Sequence, residues 1–392
     1  MPRSLTPLLV AVLVICSVHQ VLTSVTAPVV TALSFTPTQL GLVFTIASVT
    51  IALSGPLWGL LVDAAGPRPV LLAGLCLCVA GPAGFAAAVT FGIDETLTPD
   101  VAFLLVLLFR SVLFSAGLAS VLVVALAVAG LSTSGETART RAVSFVGAAQ
   151  GLAVLLGPVL GGALAVASLA LPLYVAPALA LLLAFLGMSL FQAPAEQHEP
   201  VRVRPLELLP VFGAGFFAYL SLALLQAVVL YFATDRLDER VGSGSVEGLL
   251  FASGIGLLLT QGLLVPLLKW SPTRLMTVGG PVALAGCALV AVAPSSALMA
   301  LAFLVVSVGG GLAITGFGAA ASLGVGPRHQ GVVAGLVTGV SGLAFLGGPV
   351  LGALLYEAAP ILPVLAAGAA ALVATGLAFV PALFRSEPSL PH

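Results

Sequence analysis

Long stretches without a single charge dominate the chain. No Asp, Glu, Lys or Arg occurs in 4–62, 69–93, 142–195, 208–234, 248–268, 275–327, 330–356 or 358–384, and 101–135 holds only Arg110. A helix crossing a bilayer needs about 20 apolar residues, so most of these runs hold one helix. Three are long enough for two, and each is interrupted near its middle: at Phe35-Thr36-Pro37-Thr38, at Ser168 to Pro172, and at Pro294-Ser295-Ser296. The pattern predicts an all-α integral membrane protein with twelve transmembrane helices. The first run is too long for a cleaved signal peptide and continues directly into a second span.

Composition explains why the pattern has to be read this way. Of 392 residues, 60% are hydrophobic and 7% charged, against about a quarter charged in soluble domains. So few charges cannot cover a water-exposed surface, so the expected solvent is a lipid bilayer and the expected location the cytoplasmic membrane of the cell. A formal net charge of −1 argues against a nucleic-acid partner. Cys16, Cys76, Cys78 and Cys287 all fall in apolar runs without the spacing of a metal site or a disulfide framework. They read as small packing residues.

The short loops set the orientation. Arg3, Arg68, Arg139, Arg141, Arg202, Arg204, Lys269, Arg274, Arg328 and Arg385 share the side of the N-terminus, while only Arg236 and Arg240 lie opposite. Basic loops stay inside, so both termini are expected in the cytoplasm.

The polar segment "APAEQHEPVRVRPL", 193–206, divides the helices six and six. It predicts an N-terminal bundle over 1–192, a linker over 193–207 and a C-terminal bundle over 208–392. The two bundles echo each other. "QGLAVLLGPVLGGAL" (150–164) aligns without gaps to "SGLAFLGGPVLGALL" (341–355), each in the fifth helix of its half, and "GLLVD" (59–63) matches "GLLVP" (262–266) at the close of the second. Two homologous halves of membrane helices are the architecture of a transporter that works by alternating access, with its site between the repeats. No metal-spaced cluster, GxSxG, GxGxxG or P-loop is present, so neither an enzyme nor a bound cofactor is expected.

With these features in hand, the chain resembles the major facilitator superfamily over essentially its whole length, and specifically its drug/proton antiporter branch. The signature of the family's second-to-third-helix loop is complete here as Gly59, Asp63, Gly66 and Arg68. The resemblance implies that Asp63 gates: it meets Arg68 and the positive N-terminal end of a helix from the other half, latching the cytoplasmic side. The plain alternative is a solvated turn with a surface ion pair worth under about 1 kcal/mol. In the second half Pro266 replaces the acid, so a latch on one side only is expected. The fifth helix resembles the family's antiporter signature through Gly157, Pro158, Gly161 and Gly162, echoed by Gly348 and Pro349. That signature is associated with export. Physically its glycines cut a packing groove, and a proline removes a helix hydrogen bond and bends the helix.

Arg110, well inside a span, partly matches the arginine of the family's fourth-helix signature; the glycine expected four positions later is Phe114. Charges at such depth are costly and usually functional. His19 occupies a position, nine residues before Pro28, where many drug/proton antiporters of the family carry an acid. Imidazole titrates near neutrality, so His19 and Arg110 are the candidates for proton coupling, unless His19 is simply hydrogen-bonded in the bundle. Gln20, Gln150, Gln226, Tyr231 and Gln261 either line a substrate cavity with those two or cross-link helices. Glu247 and Glu357 lie at helix ends, and no acid occupies the middle of a span. The expected partners are therefore protons and a small anionic, zwitterionic or neutral organic molecule, handled by a monomer. Proton-driven export is the expectation; import of an organic anion on the same fold is the alternative.

Overall fold

The computed structural model describes residues 4–168, 170–190, 205–237 and 245–380, and every regular element among them is helical. The helices are α1 (Leu5–Ala32), α2 (Pro37–Ala65) and α3 (Pro67–Ile93), followed by α4, which runs as Pro99–Val106, makes a π-helical turn over Leu107–Leu113 and resumes as Phe114–Leu131. Next come α5 (Glu136–Ala167), α6 (Ala170–Leu190) and α7 (Pro205–Leu237). Helix α8 again has three parts: Ser245–Leu259, a π turn at Thr260–Leu264, and Val265–Leu268. The chain continues through α9 (Pro272–Val292), α10 (Ser296–Leu323), α11 (Gln330–Ala358) and α12 (Leu362–Ala378). Among the described residues, ten helices are long and apolar enough to cross a membrane, and Ala170–Ala184 and Leu362–Ala378 are shorter apolar segments. Large side chains left on the outside, such as Leu53, Leu57, Leu181 and Leu267, are apolar, which suits a lipid solvent.

The interruptions expected inside the three longest runs are real helix ends, each marked by a hydroxyl. Thr36 accepts from the Gln39 amide at 3.3 Å while Gln39 Oε1 accepts from the Thr36 amide at 2.7 Å. This reciprocal pair satisfies donors that have no partner within the first turn. Ser168 Oγ accepts from Leu171 N at 3.1 Å and Ser295 Oγ from Leu298 N at 3.4 Å. A single residue, Gly66, joins α2 to α3 at φ +85°. A side chain there would sit in the left-handed region that costs L-residues about 1–2 kcal/mol.

The helices gather into two compact units. One holds α1–α4, α5 from Leu152, α6 and Gln330–Gly342 of α11; the other holds Thr133–Gly151, which includes the start of α5, together with α7–α10, α11 from Leu343 and α12. In the first, α1 packs on α4 and α6, α2 on α4, and α3 on α4 and α6. In the second, α7 packs on α10 and α12, α8 on α10, and α9 on α10 and α12. The pairing recurs with every helix shifted by six. The expected connection over 193–207 lies almost wholly outside the described residues.

Small residues make these contacts close. Between α3 and α4, a Cβ at Gly117 would lie 2.8 Å from Cys78 Sγ, and one at Gly81 would lie 2.7 Å from the Phe114 Cβ. Between α9 and α10, Cβ atoms at Gly279 and Gly309 would each lie 2.6 Å from the other residue's carbonyl oxygen. Lipid tails are as apolar as leucine, so helices in a bilayer associate through such van der Waals contact rather than through a hydrophobic driving force.

Candidate functional site

Arg110 sits in the π turn of α4 and is wholly buried. A π turn inserts an extra residue into the helical ladder and recurs at functional positions. Arg110 Nη2 donates to Thr23 Oγ1 at 2.9 Å, and Thr23 Oγ1 in turn donates to the His19 carbonyl at 2.8 Å. The guanidinium carbon lies 5.8 Å from the centroid of the Phe114 ring, against which the His19 imidazole stacks at 6.0 Å and 19°. Phe114 therefore serves both: its π face offsets part of the cation's desolvation and it fixes the imidazole plane. Arg110 Nε and Nη1, His19 Nδ1 and Ser115 Oγ are buried without a hydrogen-bond partner among the described residues. Buried donors left unpaired are costly, and guanidinium N–H groups are suited to carboxylate, sulfonate or phosphate oxygens. The cluster is a cationic, hydrogen-bonding nest with no carboxylate in it among the described residues.

Gln20 neighbours His19 on α1, and its side chain fills the notch at Gly157 of α5, where any Cβ would collide with it. One turn on, Ser24 and Val21 occupy the space beside Gly161, whereas Gly162 faces open space. Pro158 lies inside α5 between the two notches. The second repeat copies the arrangement: Gly348 packs on Ala223 of α7, a Cβ there lying 2.5 Å from the alanine methyl, and Pro349 lies inside α11. The glycines of the antiporter-like signature thus seat helix 5 of each half on helix 1 of that half.

A third group joins α2 to the first turns of α11. Asp63 Oδ1 accepts from Gly331 N at 2.7 Å and Oδ2 from Val332 N at 2.8 Å. These amides belong to the first turn of a helix, which has no internal acceptors for them and carries the positive end of the dipole. Backbones touch along the same seam. A Cβ at Gly59 would collide with the Gly331 carbonyl, and one at Gly55 would lie 2.8 Å from that of Gly335. Arg68 is exposed on the first turn of α3.

The remaining polar candidates are dispersed. Gln150 on α5 and Gln226 on α7 are half-buried. Gln261 is buried in the π turn of α8, with its amide in the notch at Gly147 of α5. The side chain of Tyr231 lies outside the described residues. Among the described residues no group of three or more His, Cys, Asp or Glu comes together to hold a metal ion. The sequence patterns do not single out Thr23 or the platform role of Phe114. Both were within reach, since Thr23 stands one turn beyond His19 and Phe114 one turn beyond Arg110, and residues four apart on a helix share a face.

The family model for the Major Facilitator Superfamily matches residues 8–344. The class G tetracycline resistance protein of Vibrio anguillarum is 27% identical over 320 residues, spanning 77% of each chain. Among solved structures, the human organic anion transporter MFSD10 (TETRAN) superposes with a TM-score of 0.80 at 17% identity, over 96% of this chain and 99% of its own. The major facilitator transporter FucP in its outward conformation gives 0.73 at 16% identity, over 95% and 97%. The helical pairing, its repetition across two halves and the family match agree: the chain belongs to the Major Facilitator Superfamily of multi-pass membrane transporters.

Proposed function

We propose that this chain exports a small organic compound, anionic, zwitterionic or neutral rather than cationic, in exchange for protons. It does so by alternating access, with twelve spans and both termini in the cytoplasm. The observation that carries the reading is Arg110, wholly buried with N–H groups left over beyond its bond to Thr23. A cation kept in a bilayer at that cost is matched by an anionic or hydrogen-bonding group that comes and goes. His19 stands against the same aromatic ring. A substrate that accepts from Arg110 and donates to the unpartnered His19 Nδ1 would occupy the nitrogen a proton needs, so loading one and releasing the other are linked. Asp63 holds the cytoplasmic end of α2 to α11, the state in which His19 would take its proton from outside. Release of that latch would open the cluster inward, where the proton leaves and the substrate enters. Export is supported by the resistance function for which the relative from Vibrio anguillarum is named, and an anionic substrate by the name of the human structural neighbour.

The test is transport in membrane vesicles of both orientations, with a panel of organic carboxylates, sulfonates and neutral lipophilic compounds. Export against protons predicts accumulation in inverted vesicles with an acidic lumen, and loss of it in Arg110→Ala. Accumulation confined to right-side-out vesicles under an inward proton gradient would replace this reading with proton-coupled import.

A further inference from the structure

The second half lacks the acid that latches the first: Pro266 stands where the repeat register puts the counterpart of Asp63. A one-sided latch follows from sequence, but the structure shows a different device at the equivalent place. Carrying the register of the Gly-Pro repeat back along α5 and α11 sets Arg139 level with Gln330, the first residue of α11. Arg139 stands in the first turn of α5, half-buried. Its Nη1 donates to the Ser322 carbonyl at 3.1 Å. Its Nε donates to Thr133 Oγ1 at 3.3 Å and its Nη2 to the Thr133 carbonyl at 2.6 Å.

Helix α10 ends at Leu323, so the Ser322 carbonyl is one of the last four, which find no amide inside the helix. They carry the negative end of the helix dipole, where a cation is stabilising. Asp63 is thus an anion on a helix N-terminus, and Arg139, also a residue of the first half, is a cation on a helix C-terminus of the second. The rest of the α5 seam follows from the same stripe. Val143, Gly147 and Gly151 succeed Arg139 at four-residue steps on one face. Val143 Cγ1 lies 3.0 Å from the Cβ position of Gly318 on α10, Gly147 receives the amide of Gln261, and the Cβ position of Gly151 lies 3.1 Å from Leu258 N on α8.

We propose that Arg139 is a gating residue, the counterpart of Asp63, which fastens the first turn of α5 to the end of α10 when the cytoplasmic side is closed. The planar fork is essential, because one guanidinium must bond the turn before α5 and a carbonyl of α10 at once; a lysine keeps the charge but not that geometry. This deepens the alternating-access reading and rests on it.

The experiment is a distance measurement between spin labels at Ser134→Cys and Lys269→Cys, both exposed sites, in a chain whose native cysteines are replaced and with no substrate present. Arg139→Gln is expected to raise the long-distance, cytoplasm-open population about fivefold, and Arg139→Lys about twofold. Combined with Asp63→Asn, the two increases should multiply, as for latches on separate seams. A protein that merely lost packing would melt earlier without a graded Gln-to-Lys response. An unchanged distribution in Arg139→Gln overturns the proposal. If that variant does not fold, Thr133→Val, which removes one acceptor, is read instead: about a twofold shift supports the latch and no shift overturns it. Because no substrate is used, failure to transport any compound in the vesicle panel would overturn the proposed function and leave this result standing.

Discussion

The carboxylate of Asp63 lies 2.7 Å from the amide nitrogen of Gly331, so the last turns of α2 close the first turn of α11. Gly59, one turn earlier, brings the two backbones into contact at the same residue. An acid and a glycine four residues apart do one job together. The glycine permits the approach that lets the acid reach two amides.

Asp63→Asn keeps one accepting oxygen and loses the charge and the second acceptor. The side chain is exposed, so solvent screening limits the loss to roughly 1 kcal/mol. The cytoplasm-open population should rise about fivefold, read from spin labels at Ala65→Cys and Arg328→Cys, while expression and melting hold. Identical distance distributions in variant and parent would return Asp63 to a solvated turn.

Two glycines of the same signature should respond differently to alanine. Gly59→Ala places a methyl against the Gly331 carbonyl and should block closure of the seam, abolishing transport without unfolding the protein. Gly66→Ala meets nothing within 4 Å but strains a residue at φ +85°. It should cost about 1 kcal/mol of stability and spare the open–closed balance. Thermal melts and label distances on both variants separate the two effects.

Substitutions at Arg110 test whether the buried cation anchors the substrate. Arg110→Lys keeps charge but replaces the fork bonded to Thr23 with a point charge. Arg110→Ala leaves the Phe114 face and the Thr23 hydroxyl without it. Transport of organic anions should fall at least about tenfold in each, as expected for loss of a charge-assisted hydrogen bond. Normal flux through Arg110→Ala would remove Arg110 from both binding and coupling.

What the sequence disclosed follows from how local each feature is. The breaks at Thr36, Ser168 and Ser295 are written in residues that cap their own helix ends. The Gly-Pro repeat marked the two helices that seat on α1 and α7, because close approach allows no other side chain at Gly157 or Gly348. Asp63 was legible because a complete signature surrounds it. The π turns were not, since the apolar residues around Arg110 and Gln261 satisfy an α-helix equally well. Arg139 looked like one more basic loop residue and counted only toward orientation. Its bond to Ser322 spans 183 residues and ends on a backbone carbonyl, which leaves no trace in side-chain chemistry.

The most direct test of proton-coupled export at the His19–Arg110 cluster is proton movement evoked by substrate in proteoliposomes holding a pH-sensitive dye. An organic sulfonate transported in the vesicle panel is used, because it carries no proton across by itself. Its addition outside should alkalinise the lumen as sulfonate enters and protons leave. In His19→Gln the sulfonate should still exchange downhill, with the lumen pH unchanged. Sulfonate uptake by the unmodified protein without any change in lumen pH, or undiminished alkalinisation in His19→Gln, would contradict the account.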